Sequence, residues 1–180
     1  MDAIGERSLQ WFAAERVVAE PDLAELVRDY SGLLYRVALS LLRNPSEAED
    51  VVQDVFLRVL QSQQQLAAIN DLRPWLVRIA WNLALDRCRR IRPDQLDPLF
   101  ADQIISADLP PDQAIAEAVR IRQVLIAMER LPKRERQALL LSAMDELNAS
   151  EIATVLGRSD STVRSLLFRA RTHLRQHLED

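Results

Sequence analysis

The sequence predicts an all-α fold of two small helical domains joined by an acidic, proline-containing linker, and three observations lead there. Three glycines in 180 residues leave little of the tight-turn chemistry on which hairpin-rich β proteins depend. Apolar residues recur at three- and four-residue spacing through most of the chain, the period of a helix with one buried face. From Pro93 to Glu117 that pattern is interrupted by Pro93, Pro98, Pro110 and Pro111 with Asp94, Asp97, Asp102, Asp108 and Asp112, and the stretch has no lysine or arginine. Proline blocks helix continuation and like charges keep a segment extended. Residues 93–113 are therefore expected to link a domain at 22–92 to another at 114–180, behind an N-terminal extension at 1–21.

In chain order, Leu23, Leu26, Val27, Tyr30, Leu34, Val37 and Leu41 mark the buried stripe of a first helix over 22–43. Asn44-Pro45-Ser46-Glu47 reads as an N-cap, a proline at the first helical position and a glutamate that can reach back, so a second helix starts there. It carries Ala48, Val51, Val52, Val55, Phe56, Val59 and Leu60 on one face and Glu47, Asp50, Gln53, Asp54 and Arg58 on the other. After a polar stretch from Gln61 to Asn70, a third helix over 72–90 has Leu72, Leu76, Ile79 and Leu83 as its stripe. Beyond the linker, helices are expected over 114–130 and 133–144. Asn148 to Glu151 repeats the cap-and-glutamate pattern, Gly157 supplies a left-handed stop, and Ser159 caps a last helix with the stripe Val163, Leu167, Ala170 and Leu174.

Composition narrows the function. Cys88 is the only cysteine, so neither an intrachain disulfide nor a cysteine zinc cluster is available. No glycine-rich phosphate loop or nucleophile–base pair stands out, and neither catalysis nor a cofactor is expected. Met1 to Gln10 lacks a secretory signal, and no apolar run approaches the ~20 residues that span a bilayer, so a cytoplasmic protein without membrane insertion is expected. His173 and His177 are one turn apart but have no third ligand near them, so they are read as solvated rather than metal-binding. Cys88 follows Ala80 and Ala84 on a small-residue stripe and is read as packing.

The formal net charge of −4 conceals a segregation of sign. Residues 73–92 carry six arginines against Asp86, and residues 158–175 carry five against Asp160. Two basic islands sit in an acidic chain, which is the footprint of a protein with localised nucleic-acid contacts. The second island lies on the helix that follows Gly157. A short capped helix, a glycine turn and an arginine-rich second helix make a helix-turn-helix, whose second member fits the DNA major groove.

These segments resemble a known family. Glu151-Ile152-Ala153, Leu156-Gly157, Ser161-Thr162-Val163-Arg164-Ser165 and Leu167-Phe168-Arg169-Ala170-Arg171 are similar to the fourth region of the extracytoplasmic-function sigma factors. Ala48-Glu49-Asp50-Val51-Val52-Gln53-Asp54-Val55-Phe56 resembles their second region. Trp75-Leu76-Val77-Arg78-Ile79-Ala80 with Asn82-Leu83-Ala84-Leu85-Asp86 resembles the helix behind their minus-ten recognition. The likeness implies a promoter-recognition subunit that joins core RNA polymerase through Asp50, Gln53 and Asp54. It implies minus-ten contacts from Asn82, Arg78, Arg87, Arg89, Arg90 and Trp81 together with the loop from Gln61 to Arg73. It implies minus-thirty-five contacts from Arg164, Ser165, Phe168, Arg169 and Arg171, and an anti-sigma protein as a further partner.

The chain departs from the family pattern in three places. Trp81 and Leu166 stand where basic residues are common, and the loop has Leu66, Ala67 and Ala68 in place of a phenylalanine and glycine pattern. Trp81 either stacks on exposed bases or packs against its neighbours, and Leu166 removes a phosphate contact. The rival reading is a stand-alone helix-turn-helix regulator, which would need a dimer interface and leaves the second-region likeness without a role.

Overall fold

The computed structural model describes residues 23–62, 66, 69–90, 111–144 and 147–179. The regular elements among them are helices: α1 (Leu23–Leu42), α2 (Pro45–Gln61), α3 (Leu72–Arg90), α4 (Pro111–Glu129), α5 (Lys133–Ser142), α6 (Ala149–Leu156) and α7 (Asp160–Glu179). The extension at 1–21 and the linker as far as residue 110 lie outside the described residues. α4 begins at Pro111, three residues before the expected Ala114, because a proline in the first turn forfeits no intrahelical bond.

Local chemistry sets the turns. Arg43 closes α1 in the left-handed region at φ 51, and Asn44 then caps α2 by accepting the Glu47 N–H at 3.1 Å with Pro45 in the first turn. At α6 the capping box is complete: the Asn148 side chain accepts from Ser150 and Glu151, and the Glu151 carboxylate accepts the Asn148 N–H at 2.8 Å. The Ser159 hydroxyl accepts the Thr162 N–H at the start of α7.

Gly157 ends α6 at φ 62, and a Cβ added there would meet open space. The backbone alone therefore requires glycine, since an L side chain in this conformation costs about 1–2 kcal/mol. Gly157→Ala is expected to lower the unfolding free energy by about that amount, and Gly157→Asn by less, as read from urea denaturation. Equal stability of all three would show that the turn tolerates another conformation.

α1, α2 and α3 pack on one another as a first unit, and α4, α5 and α6 pack around α7 as a second. The first core is built from Leu34 and Val37 of α1, Val51 and Val55 of α2, and Leu76 and Val77 of α3, all essentially without solvent contact. Each such side chain contributes about 1.5–3 kcal/mol by its burial. Two positions of α1 and α2 differ from the periodic reading. Val27 and Leu60 are 39% and 43% exposed, because each lies at the edge of a stripe narrower than the alternation of apolar residues suggests.

α3 is turned as well. Ala80 and Ala84 are fully buried while Leu72, Ile79 and Leu83 are half-buried. This helix touches α1 and α2 on one side and α6 on another, so its covered perimeter is wide and its alanines permit close approach. Cys88 continues that line, with its Sγ donating to the Leu41 carbonyl at 3.3 Å. Burial pushes its thiol pKa up, against the depressed value of a reactive thiolate.

The second unit follows its expected stripe, with Val163, Leu167 and Ala170 of α7 buried against Ala138 and Leu141 of α5 and Ile152 and Val155 of α6. The two units are joined. α3 lies against α6, and their buried residues form one continuous cluster from Leu26 to Leu167. Ion pairs among the described residues cross the seam, with Arg73 Nη1 to Glu151 Oε1 at 3.1 Å and Arg43 Nη1 to Glu129 Oε1 at 2.6 Å.

Candidate nucleic-acid interface

The first basic island lies along the outer face of α3. Arg78, Asn82 and Arg89 recur at helical spacing and are exposed, and Arg90 is exposed beside them at the helix end. Arg89 bonds Asp86 one turn back at 3.1 Å with both side chains largely in solvent, an interaction worth at most a few tenths of a kcal/mol. This face presents cations and one amide, suited to phosphates and an unpaired base.

Two residues grouped with that face by sequence are placed elsewhere. Trp81 is 2% exposed and belongs to the buried core cluster, so the packing alternative holds and the ring has no open face for a base. Arg87 turns inward to α2. Its Nη1 donates to Glu47 Oε2 at 2.8 Å, its Nη2 donates to Asp54 Oδ2 at 2.7 Å, and Asp50 Oδ2 lies 3.5 Å away. Burial alone would lower the Arg87 pKa, but the bonds to Asp54 and Glu47 outweigh it and the net shift is upward. The arginine thus stays charged and acts as an internal counter-ion for the acidic face of α2.

That acidic face remains half open despite the clamp. The side chains of Asp50 and Asp54 are 54% and 41% exposed, and Gln53 between them is exposed. Glu47 was expected to reach back to its own cap; it bonds Arg87 instead, which ties the start of α2 to the end of α3. In the preceding loop, Leu66 is buried, and Ala67 and Ala68 lie outside the described residues.

The second basic island is the outer face of α7. Arg164, Phe168, Arg171 and Arg175 line a shallow surface groove, with Ser165 exposed beside it. Phe168 is 72% exposed, an unusual place for a phenyl ring and a ready contact for a thymine methyl group. Leu166 is not on this face. It is 6% exposed and borders a groove with Leu85 and Arg89 of α3, so an apolar residue at this position serves the seam between the two units.

Arg169 and His173 meet a residue that sequence reasoning overlooked. Glu135 of α5 is 6% exposed; its Oε1 accepts from Arg169 Nε at 3.2 Å and its Oε2 lies 2.7 Å from His173 Nδ1. A carboxylate can only accept, so the imidazole Nδ1 carries the hydrogen. His173 is therefore bonded and half-buried rather than solvated. The pairing spans 34 residues of chain, and the only local signal was an acid in the first turn of a helix, which usually answers the helix dipole.

Between the units, a cavity of about 790 Å3 opens among α1, α3, α4 and α5. Leu39, Leu85, Leu125 and Leu140 form apolar walls, and Arg36 and Lys133 stand at its border.

Comparison with known proteins agrees with this layout. The family model for Sigma-70 region 2 matches residues 26–93, which hold α2, α3 and most of α1, and that for Sigma-70, region 4 matches residues 121–174, which hold the latter part of α4, α5, α6 and most of α7. The chain is 36% identical over 163 residues to the ECF RNA polymerase sigma factor SigE of Mycolicibacterium smegmatis, covering 89% of this chain and 63% of that protein. It is 30% identical over 166 residues to the ECF RNA polymerase sigma factor SigW of Bacillus subtilis, covering 87% of this chain and 89% of that one. Among solved structures, CnrH in complex with the cytosolic domain of CnrY aligns with a TM-score of 0.65 at 25% identity, over 87% of each chain. The sigma factor RpoE of Bartonella quintana, solved with the anti-sigma factor NepR, aligns at 0.63 and 23% identity over 88% of this chain and 97% of that one, and so shares the fold. Both regions match in order, on the helices that carry the acidic face and the two basic islands, and the chain belongs to the extracytoplasmic-function sigma factors of the sigma-70 family.

Proposed function

We propose that this chain joins core RNA polymerase and directs it to promoters, with residues 22–92 holding polymerase and the minus-ten element and residues 114–180 reading the minus-thirty-five element. The observation that carries this is the division of labour on the surface: an acidic face on α2, and basic faces on α3 and α7 that belong to separate units. Asp50, Gln53 and Asp54 offer the polymerase handhold. Arg78, Asn82, Arg89 and Arg90 serve the opened minus-ten strand, and Arg164, Ser165, Phe168, Arg169 and Arg171 serve the duplex. Arg87 assists indirectly, by holding the α2 carboxylates in place. The protein acts without chemistry of its own; the polymerase supplies the catalysis.

Two weak readers on one platform gain effective concentration without any new contact. Alone, an acidic chain attracts DNA phosphates weakly, so strong promoter binding is expected only with polymerase present. No helix among the described residues is long and apolar enough to cross a membrane, which accords with work on the chromosome in the cytoplasm. An anti-sigma partner is part of this reading; the structural neighbour CnrH was likewise solved with a protein partner, the cytosolic domain of CnrY.

Reconstitution with bacterial core polymerase tests the reading, and Gln53→Arg is the informative variant. Gln53 is exposed, and a cation placed between Asp50 and Asp54 opposes a basic partner surface. Its affinity for core should fall by at least about tenfold with unchanged thermal stability. Assembly and run-off transcription equal to those of the wild type would remove the α2 face from the account, and failure of the wild-type chain to bind core would remove the function.

A further inference from the structure

We propose that Glu135 is a positioning residue for promoter reading: with His173 it holds the Arg169 guanidinium in a fixed orientation, so that Arg169 reads a base edge rather than gripping phosphate. This rests on the reading of α7 as the minus-thirty-five helix.

The geometry of the three side chains carries the inference. Glu135 sits on α5, which packs along α7, and its carboxylate is almost wholly buried. One oxygen accepts from Arg169 Nε and the other meets His173 Nδ1 one turn further along α7. The carboxylate is thus held at both oxygens and cannot swing to follow the arginine. Arg169 by contrast is 51% exposed and borders the groove that Lys133, Arg134 and Arg158 also line, so part of its side chain stays open to a ligand.

A guanidinium has five N–H donors in a rigid plane. Glu135 takes the one on Nε, which leaves the four donors of the two Nη groups and fixes the plane in which they lie. A two-pronged donor of defined orientation matches the O6 and N7 acceptors of guanine. Orientation fixed in advance also avoids the side-chain ordering cost of binding.

The pairing also separates Arg169 from its neighbours. An arginine partnered by a carboxylate has lost much of its pull on a phosphate, which depends on net charge. It has lost nothing as a hydrogen-bonding fork. Arg164, Arg171 and Arg175 point to the surface groove around Phe168, a better place for contacts that depend on charge alone.

The test uses reconstituted holoenzyme and a library of promoter duplexes randomised over the upstream element, with sequencing of the bound fraction for wild type, Arg169→Ala, Glu135→Gln and the double variant. Arg169→Ala should erase preference in one column, a guanine, by about fivefold or more. Glu135→Gln should weaken the same column by about threefold or more, within the coupling range of touching residues, leave other columns unchanged, and add nothing to Arg169→Ala in the double variant. A uniform loss over all columns, an additive double variant, or an untouched guanine column in Glu135→Gln would each overturn the role of Glu135 while leaving α7 as the reader. No column change in Arg169→Ala would overturn both. Should Glu135→Gln fail to fold, His173→Ala, which removes the second hold on the carboxylate from a half-exposed site, carries the same expectation with a shift of about twofold, and no shift there overturns the proposal.

Discussion

Arg87→Ala is expected to destabilise the first helical unit by about 1.5–3 kcal/mol, measured as the change in unfolding free energy in urea. Breaking a buried ion pair typically costs about 3–5 kcal/mol because a charge is left without its partner. The carboxylates here are partly wet, with Glu47, Asp50 and Asp54 side chains 37%, 54% and 41% exposed, so the lower range applies. Arg87 itself is the less exposed partner at 23%. Its removal sets three carboxylates on one helix face against one another, and it unties the end of α3 from the start of α2. Arg87→Lys should recover less than half of the loss, because an ammonium cannot bond Glu47 and Asp54 with the two arms of a planar fork.

The pH dependence has a definite sign. A raised pKa on a cation contributes stability that is complete below the unfolded value and is lost only as pH rises through the folded one. For Arg87 that point lies far above neutrality, so the difference between Arg87→Ala and wild type should stay level from neutral to mildly alkaline pH. It should shrink in high salt, which screens half-exposed pairs. A loss below about 0.5 kcal/mol at low salt would mean that solvent, not Arg87, stabilises the acidic face.

Much of this arrangement was legible in the sequence, for reasons that differ from element to element. Asn44, Asn148, Gly157 and Ser159 act within four residues of themselves, so their caps and turns could be read directly, and the structure places each helix end where they put it. The stripe of α7 was legible because that helix is covered along one side. α3 was read less well: covered by α1, α2 and α6, it buries Ala80, Trp81 and Ala84 beyond any single stripe. Arg87 and His173 were misjudged for a common reason. Each looks outward by local pattern, and each is claimed by residues distant in sequence: Glu47 and Asp54 for Arg87, and Glu135 for His173. Charge counting finds basic islands but cannot tell which cations are already neutralised within the fold. The acidic face and the two basic surfaces were therefore visible as regions, whereas the separation of oriented from unpaired arginines required coordinates.

Glu151→Ala should be the second large loss, about 2–3 kcal/mol, since one carboxylate serves two structures. Its Oε2 closes the capping box of α6 at the Asn148 N–H, and its Oε1 meets Arg73 across the seam, with the Glu151 side chain 10% exposed and that of Arg73 32%. The cap by itself is worth about 0.5–2 kcal/mol. Glu151→Gln separates the two functions, because an amide oxygen can still accept from Asn148 while the charge facing Arg73 is gone. Its loss should be about half that of Glu151→Ala, and Arg73→Ala should add little to it in a double-mutant cycle. Hydrogen exchange supplies the spatial reading: Glu151→Ala should expose the amides at the start of α6 together with the part of α3 around Arg73, whereas Glu151→Gln should leave the α6 amides protected. If the two variants lose equal stability, the cap contributes nothing and the cross-seam pair carries the whole effect; if Glu151→Gln matches wild type, the seam is held by Leu166 and its apolar neighbours rather than by charge.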